Sequence, residues 1–215
     1  MSIQDNIVAV RKHIPAGVTL VSVSKFHPAE CIQQLYDAGE RDFGESRVQE
    51  LMGKYEQLPK DIRWHFIGHL QTNKVRQIVP FVHLIQSVDS LHLMQTIELE
   101  AARINRKINV LLEVHVAKEQ TKSGLLENEL EEVLTHLQEM PHINVCGIMG
   151  MATLTDDKAE ILRCFTRIHQ LSSSVCPSPV ISMGMSDDYL LAIEAGSNMV
   201  RVGSAIFGPR NYQNI

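Results

Sequence analysis

Eight short apolar runs recur along this chain, each separated from the next by a segment of helical periodicity, and this strict alternation constrains the fold more than any other feature. The runs centre near residues 20, 42, 65, 85, 111, 147, 181 and 200. Val18 to Val23 and Ile108 to Val114 are typical: rich in β-branched residues, with no Gly or Pro inside them. Near-continuous apolar strands alternating with helices predict a parallel sheet covered by helices. Eight such units close into an α/β fold of the (β/α)8 TIM-barrel type, with an open doubly wound sheet as the alternative.

The punctuation between the runs agrees. Ser2 and Asp5 have capping-box spacing, and Ile3, Ile7, Val10 and Ile14 follow at helical intervals until Pro15 and Gly17. This extra N-terminal helix precedes the first strand, so it is expected to cover the gap between the last strand and the first. Pro28 and Gly39 bracket a second helix, Ser46 has the spacing of a cap before Val48, Ser90 caps a helix through Ala101, and Asp156 and Asp157 favour a helix start. Ser186 is expected to cap a helix that ends at Gly196. No composition break interrupts the 215 residues, so residues 1–215 are expected to form a single domain.

A net charge of −5 offers no concentrated positive field for nucleic acid or an anionic membrane. No apolar run approaches the length that spans a bilayer, and Met1 to Asp5 lack the basic and apolar segments of a signal peptide. A cytoplasmic location and a monomeric chain are the expectations. Cys31, Cys146, Cys164 and Cys176 form no CxxC pair and read as reduced, structural thiols.

Chemistry in a barrel collects where strands end, with phosphate tending to bind after the seventh and eighth. The first run delivers Lys25 to such an end. It is either a lysine that solvates a strand terminus or, if partly desolvated and close to another cation, a neutral amine able to attack a carbonyl. After the seventh run comes Met183-Gly184-Met185-Ser186-Asp187, and after the eighth Arg201-Val202-Gly203-Ser204. Ser186, Gly203 and Ser204 offer hydroxyls and accessible backbone N–H groups, the makings of an anion cradle, although Ser186 as an ordinary cap and Gly203 as an ordinary turn are the alternatives. Arg201 interrupts an apolar strand and requires a partner, either a core carboxylate or a ligand atom. An amine facing a phosphate cradle and a cation suits a phosphorylated aldehyde. His65 and His69, four apart, lack a third metal ligand, so no metal site is expected. Lys118 and Lys122 flank the loop after the fifth run, and Met149, Met151, Met183 and Met185 are expected at the barrel mouth.

Several motifs in fixed order carry a specific resemblance: Val21-Ser22-Val23-Ser24-Lys25, Phe43-Gly44-Glu45-Ser46-Arg47-Val48-Gln49-Glu50, Trp64-His65-Phe66-Ile67-Gly68-His69-Leu70-Gln71, Thr121-Lys122-Ser123-Gly124 and Ser182-Met183-Gly184-Met185-Ser186-Asp187-Asp188. Across essentially its whole length the chain resembles the pyridoxal phosphate homeostasis protein family, which is itself similar to the N-terminal barrel of alanine racemase. The resemblance implies a pyridoxal 5′-phosphate cofactor held as a Schiff base on Lys25, with Ser186, Gly203 and Ser204 at its phosphate and Arg201 facing the pyridine nitrogen. It also implies vitamin B6 homeostasis, with apo forms of pyridoxal phosphate enzymes as partners. This chain has Ser46 where the family usually carries Asn, a shorter side chain that puts an amide contact to the cofactor in question. A cation beside the ring nitrogen disfavours the electron-sink form of the cofactor, and no second domain is expected to supply another base. A carrier without catalytic residues is therefore expected; the competing reading is a weak amino-acid racemase or a Schiff-base aldolase.

Overall fold

The computed structural model describes residues 2–119 and 123–209. Its eight strands are all parallel and pair in sequence order around a closed barrel, the last returning to the first. They are β1 (Thr19–Val23), β2 (Asp42–Glu45), β3 (Arg63–Phe66), β4 (Leu84–Val88), β5 (Ile108–Val114), β6 (Ile143–Gly150), β7 (Val180–Ser182) and β8 (Met199–Val202). Closure is set by the register Val21 opposite Arg201 and Ser22 opposite Val202.

The helices between them are α1 (Ile3–Arg11), α2 (Ala29–Asp37), α3 (Val48–Gln57), α4 (Val75–Ile78), α5 (Leu91–Arg103), α6 (Glu127–Thr135), α7 (Lys158–Ser172), α8 (Tyr189–Glu194) and α9 (Ser204–Phe207). The Ser2–Asp5 capping box forms as its spacing predicts. Helix α1 buries Ile7 and Val10, and Asn6 Nδ2 donates to the carbonyl of Ile206 at 2.9 Å, so this helix lies beside α9 next to the seam between β8 and β1.

Apolar packing divides as a barrel requires. One large cluster fills the layer between strands and helices, with Trp64, Phe43, Phe66 and Phe165 fully buried in it. A second, small cluster of Val21, Leu84, Leu111, Met149 and Met199 occupies the barrel interior. Cys146 and Val180 pack against it, and the polar side chains Asp42, His65, Gln86, Glu113, Ser182 and Arg201 are also buried.

Some local expectations are corrected. Helix α3 begins from Arg47, which makes no side-chain cap bond, so Ser46 is not its cap. Ser46 instead packs on the chain after β3: a Cβ on Gly68 would fall 2.3 Å from the Ser46 carbonyl oxygen. Helix α8 begins from Asp188 rather than Ser186, because the Ser186 hydroxyl is taken by tertiary partners. Met183 is turned out into the large cluster and Met185 is exposed, so of this methionine pair neither lies in the inner cluster that contains Met149. Thr121 and Lys122, expected in the loop after the fifth strand, lie outside the described residues. Among the described residues no helix is long and apolar enough to cross a membrane.

Candidate functional site

Because every strand is parallel, all eight carboxyl ends open on one face, and Lys25, Ser186, Arg201, Gly203 and Ser204 belong to the segments that meet there. Lys25 lies two residues beyond the end of β1, half-buried, in a turn closed by the His27 N–H donating to the Ser24 carbonyl at 3.1 Å. Phe26 follows with φ of 67°, a left-handed conformation that a non-glycine residue adopts only when its surroundings impose it.

Those surroundings come from β2 and α3. The Phe26 N–H donates to Glu50 Oε1 at 2.6 Å. The Ser24 hydroxyl donates to Glu45 Oε1 at 2.6 Å, and Lys54 Nζ donates to Glu45 Oε1, Glu50 Oε1 and the Ser24 carbonyl at 2.7, 2.7 and 2.9 Å. The residues on both sides of Lys25 are thus tied to one buried ionic cluster. Burial pushes the Glu45 carboxyl up to about 7, with Lys54 pulling against it, and its Oε2 has no hydrogen-bond partner among the described residues. On the other flank the His27 ring stacks on Phe207 of α9, centroids 5.0 Å apart, which joins the Lys25 turn to the loop after β8.

The loops after β7 and β8 are stitched by Ser186, whose Oγ accepts the Gly203 N–H at 3.2 Å and the Ala205 N–H at 3.4 Å. Gly203 has an ordinary φ, but a Cβ there would stand 3.2 Å from the Val23 carbonyl oxygen, so the absence of a side chain lets this backbone lie against the end of β1. Ser204 is exposed.

Arg201 is 4% exposed. Its partners among the described residues are not carboxylates: Nη1 donates to the Ser182 carbonyl and hydroxyl at 2.8 and 2.6 Å, and Nη2 to the Gly150 carbonyl at 3.0 Å. Its Nε–H donates to none of the described groups. Burial pulls its pKa down to about 10, with Glu113 and Asp188 acting the other way, so the guanidinium stays charged at neutral pH.

Sequence reasoning passed over Glu113, Glu45, Glu50 and Lys54. Glu113 is 2% exposed on β5, and burial raises its pKa while the Ser123 hydroxyl, donating at 2.8 Å, opposes the rise. It interrupts an apolar strand as Arg201 does, which was the available signal. His65 and His69 do not share a site: His65 is inside the barrel, whereas His69 is exposed and bonds Asp89. Among the described residues no group of three His, Cys, Asp or Glu side chains is placed to hold a metal ion. Lys118 pairs with Glu160 at 3.0 Å.

An aldehyde carrying a phosphate ester and an aromatic nitrogen would need an amine, an anion cradle and a ring partner. The donor chemistry present fits: a lysine on a pinned turn, hydroxyls and backbone N–H groups gathered where Gly203 leaves room, and a buried guanidinium that forms no ion pair among the described residues.

Comparison with known proteins identifies what the whole chain resembles. The family model of the alanine racemase N-terminal domain matches residues 1–211. A pyridoxal phosphate homeostasis protein of Pasteurella multocida is 33% identical over 99% of each chain, and one of Aquifex aeolicus is 38% identical over 90% of this chain and 87% of its own. Among solved structures, PipY of Synechococcus elongatus, with pyridoxal phosphate bound, superposes with a TM-score of 0.90 at 33% identity over 96% of this chain and 100% of its own. Alanine racemase of Bartonella henselae reaches a TM-score of 0.76 at 16% identity; this chain covers 58% of its length, and the likeness is one of fold.

Proposed function

This chain belongs to the alanine racemase N-terminal domain family, at full length to the branch of the pyridoxal phosphate homeostasis proteins, and on that premise we propose that it binds pyridoxal 5′-phosphate on Lys25 as a Schiff base, buffers it, and hands it to apo-enzymes. One observation carries the reading: the Lys25 turn, the Ser186–Gly203 stitch and Arg201 meet at a single barrel mouth.

Each residue has a distinct task. Lys25 supplies the amine, and its turn is held in place by Glu50, Glu45 and Lys54. Ser186, Gly203 and Ser204 receive the phosphate through hydroxyl and backbone N–H donors. Arg201, whose Nε–H donates to none of the described groups, would be the residue facing the ring nitrogen. When bound, the cofactor supplies an aldehyde that condenses with amines and a ring that can withdraw electrons. Arg201, charged and unable to accept a proton at neutral pH, disfavours protonation of that nitrogen, so electron withdrawal stays weak; this favours holding the cofactor over turning over amino acids.

The test is borohydride reduction of the purified protein incubated with pyridoxal phosphate, followed by peptide mass analysis. A reduced adduct on the Lys25 peptide, absent in Lys25→Ala, is expected; a protein that takes up no cofactor would remove the reading. Exchange of the α-hydrogen of alanine at enzyme-like rates, lost in Lys25→Ala, would favour a racemase over a carrier.

A further inference from the structure

Five buried side chains inside the barrel form one continuous hydrogen-bonded chain, and with a neutral imidazole at His65 the carboxylate at one end sets the direction of every bond. At one end Asp42, on β2, is held by Arg63, whose Nε donates to Oδ1 at 2.7 Å and whose Nη2 donates to Oδ2. Burial disfavours the charged Asp42, but Arg63 and His65 outweigh it and hold the carboxyl well below the usual range, so it only accepts. His65 Nε2, 3.0 Å from Asp42 Oδ1, must therefore carry a hydrogen. In the neutral ring Nδ1 is then an acceptor, so the atom of Gln86 at 3.0 Å from it is the amide nitrogen, whose second hydrogen points at Met199 Sδ, 3.3 Å away. Gln86 Oε1 must face Ser182, and the Ser182 hydroxyl donates to it at 2.6 Å. The Ser182 oxygen is then left to accept, which it does from Arg201 Nη1 at 2.6 Å.

At the other end Arg201, which can only donate, requires the Ser182 hydroxyl oxygen to accept, in agreement with that direction. Arg201, Ser182, Gln86, His65 and Asp42 thus donate in one direction, from a cation at the mouth to an anion at the opposite rim. All are buried, with Ser182 and Gln86 at 0% exposure. Each link polarises the next, and a reversed Gln86 amide would leave its oxygen facing the acceptor Nδ1 of His65.

We propose that Ser182, Gln86 and His65 are positioning residues for Arg201, locking its guanidinium so that only Nε–H and one Nη2–H remain for an acceptor atom in the barrel mouth. Nη1 spends both hydrogens on Ser182, and Nη2 spends one on Gly150. The occupant presented to this edge is an acceptor such as an unprotonated aromatic nitrogen; that identity rests on the proposed function, whereas the chain itself does not. His83, whose ring centroid lies 5.5 Å from that of His65, is the other titratable group against the His65 ring.

Two readouts on the apoprotein test the chain. Long-range 1H–15N correlation spectra, with His65 assigned by its loss in His65→Gln, are expected to show the Nε2–H tautomer; the Nδ1–H tautomer would overturn the proposal. Ser182→Ala removes a single oxygen and is expected to raise hydrogen exchange at Arg201 Nε–H about tenfold, the scale of losing one hydrogen bond to a charged group. Ser182→Thr, which retains the hydroxyl, should restore it. With pyridoxal phosphate added, Ser182→Ala and Gln86→Met should shift the visible absorption band and Ser182→Thr should not. Unchanged exchange and an unchanged band in Ser182→Ala would overturn the positioning role. If the wild type takes up no cofactor, the proposed function fails, and the tautomer and exchange readouts still decide the chain.

Discussion

Lys54 Nζ donates to the carbonyl of Ser24 at 2.9 Å, and through that bond a buried lysine on one helix holds the backbone immediately before a second lysine on a strand end. Lys54 is 6% exposed and spends its three hydrogens on Ser24, Glu45 and Glu50. Removing one partner of a buried ion pair typically costs about 3–5 kcal/mol, but Glu45 can take a proton near neutrality and soften the loss. Lys54→Met is expected to lower stability by about 2–3 kcal/mol, roughly 5–10 °C in Tm for a chain of this size. It should also slow capture of pyridoxal phosphate by Lys25, measured by borohydride-trapped adduct against time. Glu50→Gln retains an acceptor for the Phe26 N–H and should affect capture less; equal capture by Lys54→Met and wild type would show that the clamp does not position Lys25.

Glu45 gives a pH dependence of definite sign. Its pKa rises on folding from 4.5 to about 7, chiefly by burial, so between those values the native state binds more protons than the unfolded chain. Its contribution is therefore fully present below about pH 4.5 and is lost as pH rises through about 7. At 1.36 kcal/mol per unit the loss is on the order of 3 kcal/mol. Urea denaturation of wild type and Glu45→Gln between pH 4.5 and 8 should show the wild type losing stability relative to the variant as pH rises. Parallel curves would place the Glu45 ionisation elsewhere.

At the stitched loops, Ser186→Ala deprives the N–H groups of Gly203 and Ala205 of their acceptor and removes a hydroxyl from the cradle. Weakening of pyridoxal phosphate binding by about tenfold is expected, the worth of one hydrogen bond to a charged group. Gly203→Val should weaken it further, because a Cβ alone already stands 3.2 Å from the Val23 carbonyl oxygen and 3.3 Å from its Cβ. Fluorescence titration with pyridoxal phosphate, and with pyridoxal as the control lacking phosphate, measures both. Equal losses for the two ligands would mean that these residues do not bear on the phosphate.

What could be read in advance follows from the range of each interaction. The strands, α1 and the gathering of Lys25, Arg201, Ser186, Gly203 and Ser204 at one face follow from apolar periodicity and alternation, both local in sequence. Arg201 was conspicuous as a charge inside an apolar strand, but its partners, Ser182 and Gly150, come from β7 and the end of β6 and carry no mark in sequence. Lys54 and Glu50, four apart on a helix, have the pattern of a solvent-facing pair, and only the approach of β2 buries them. The Ser186 hydroxyl was read as a helix cap because Ser before a helix suits that role; a tertiary donor claimed it instead. His65 invited comparison with His69, whereas its partners Asp42 and Gln86 lie on neighbouring strands.

The same dependence on distant elements makes Gly147 the position where a small change should do most damage. Along β5, Val110 pairs with Val145 but Leu111 pairs with Gly147, so one extra residue, Cys146, is bulged out of β6. Gly147 has φ of 154°, and a Cβ there would lie 2.0 Å from the carbonyl oxygen of Val180 on β7. Beyond the bulge the register carries Met149 into the inner cluster and brings the Gly150 carbonyl to Arg201 Nη2. Gly147→Ala must therefore push β7 away or change the backbone of β6, and either response moves an acceptor of Arg201. A loss of at least about 3 kcal/mol is expected from the strain and the disrupted strand pairing, seen as a fall in Tm on the order of 10 °C. Gly53→Ala, on the α3 surface with nothing within 4 Å of the added Cβ, should be neutral or slightly stabilising. If Gly147→Ala melts with the wild type, the bulge does not set the β6 register, and the path from that register to the orientation of Arg201 is removed.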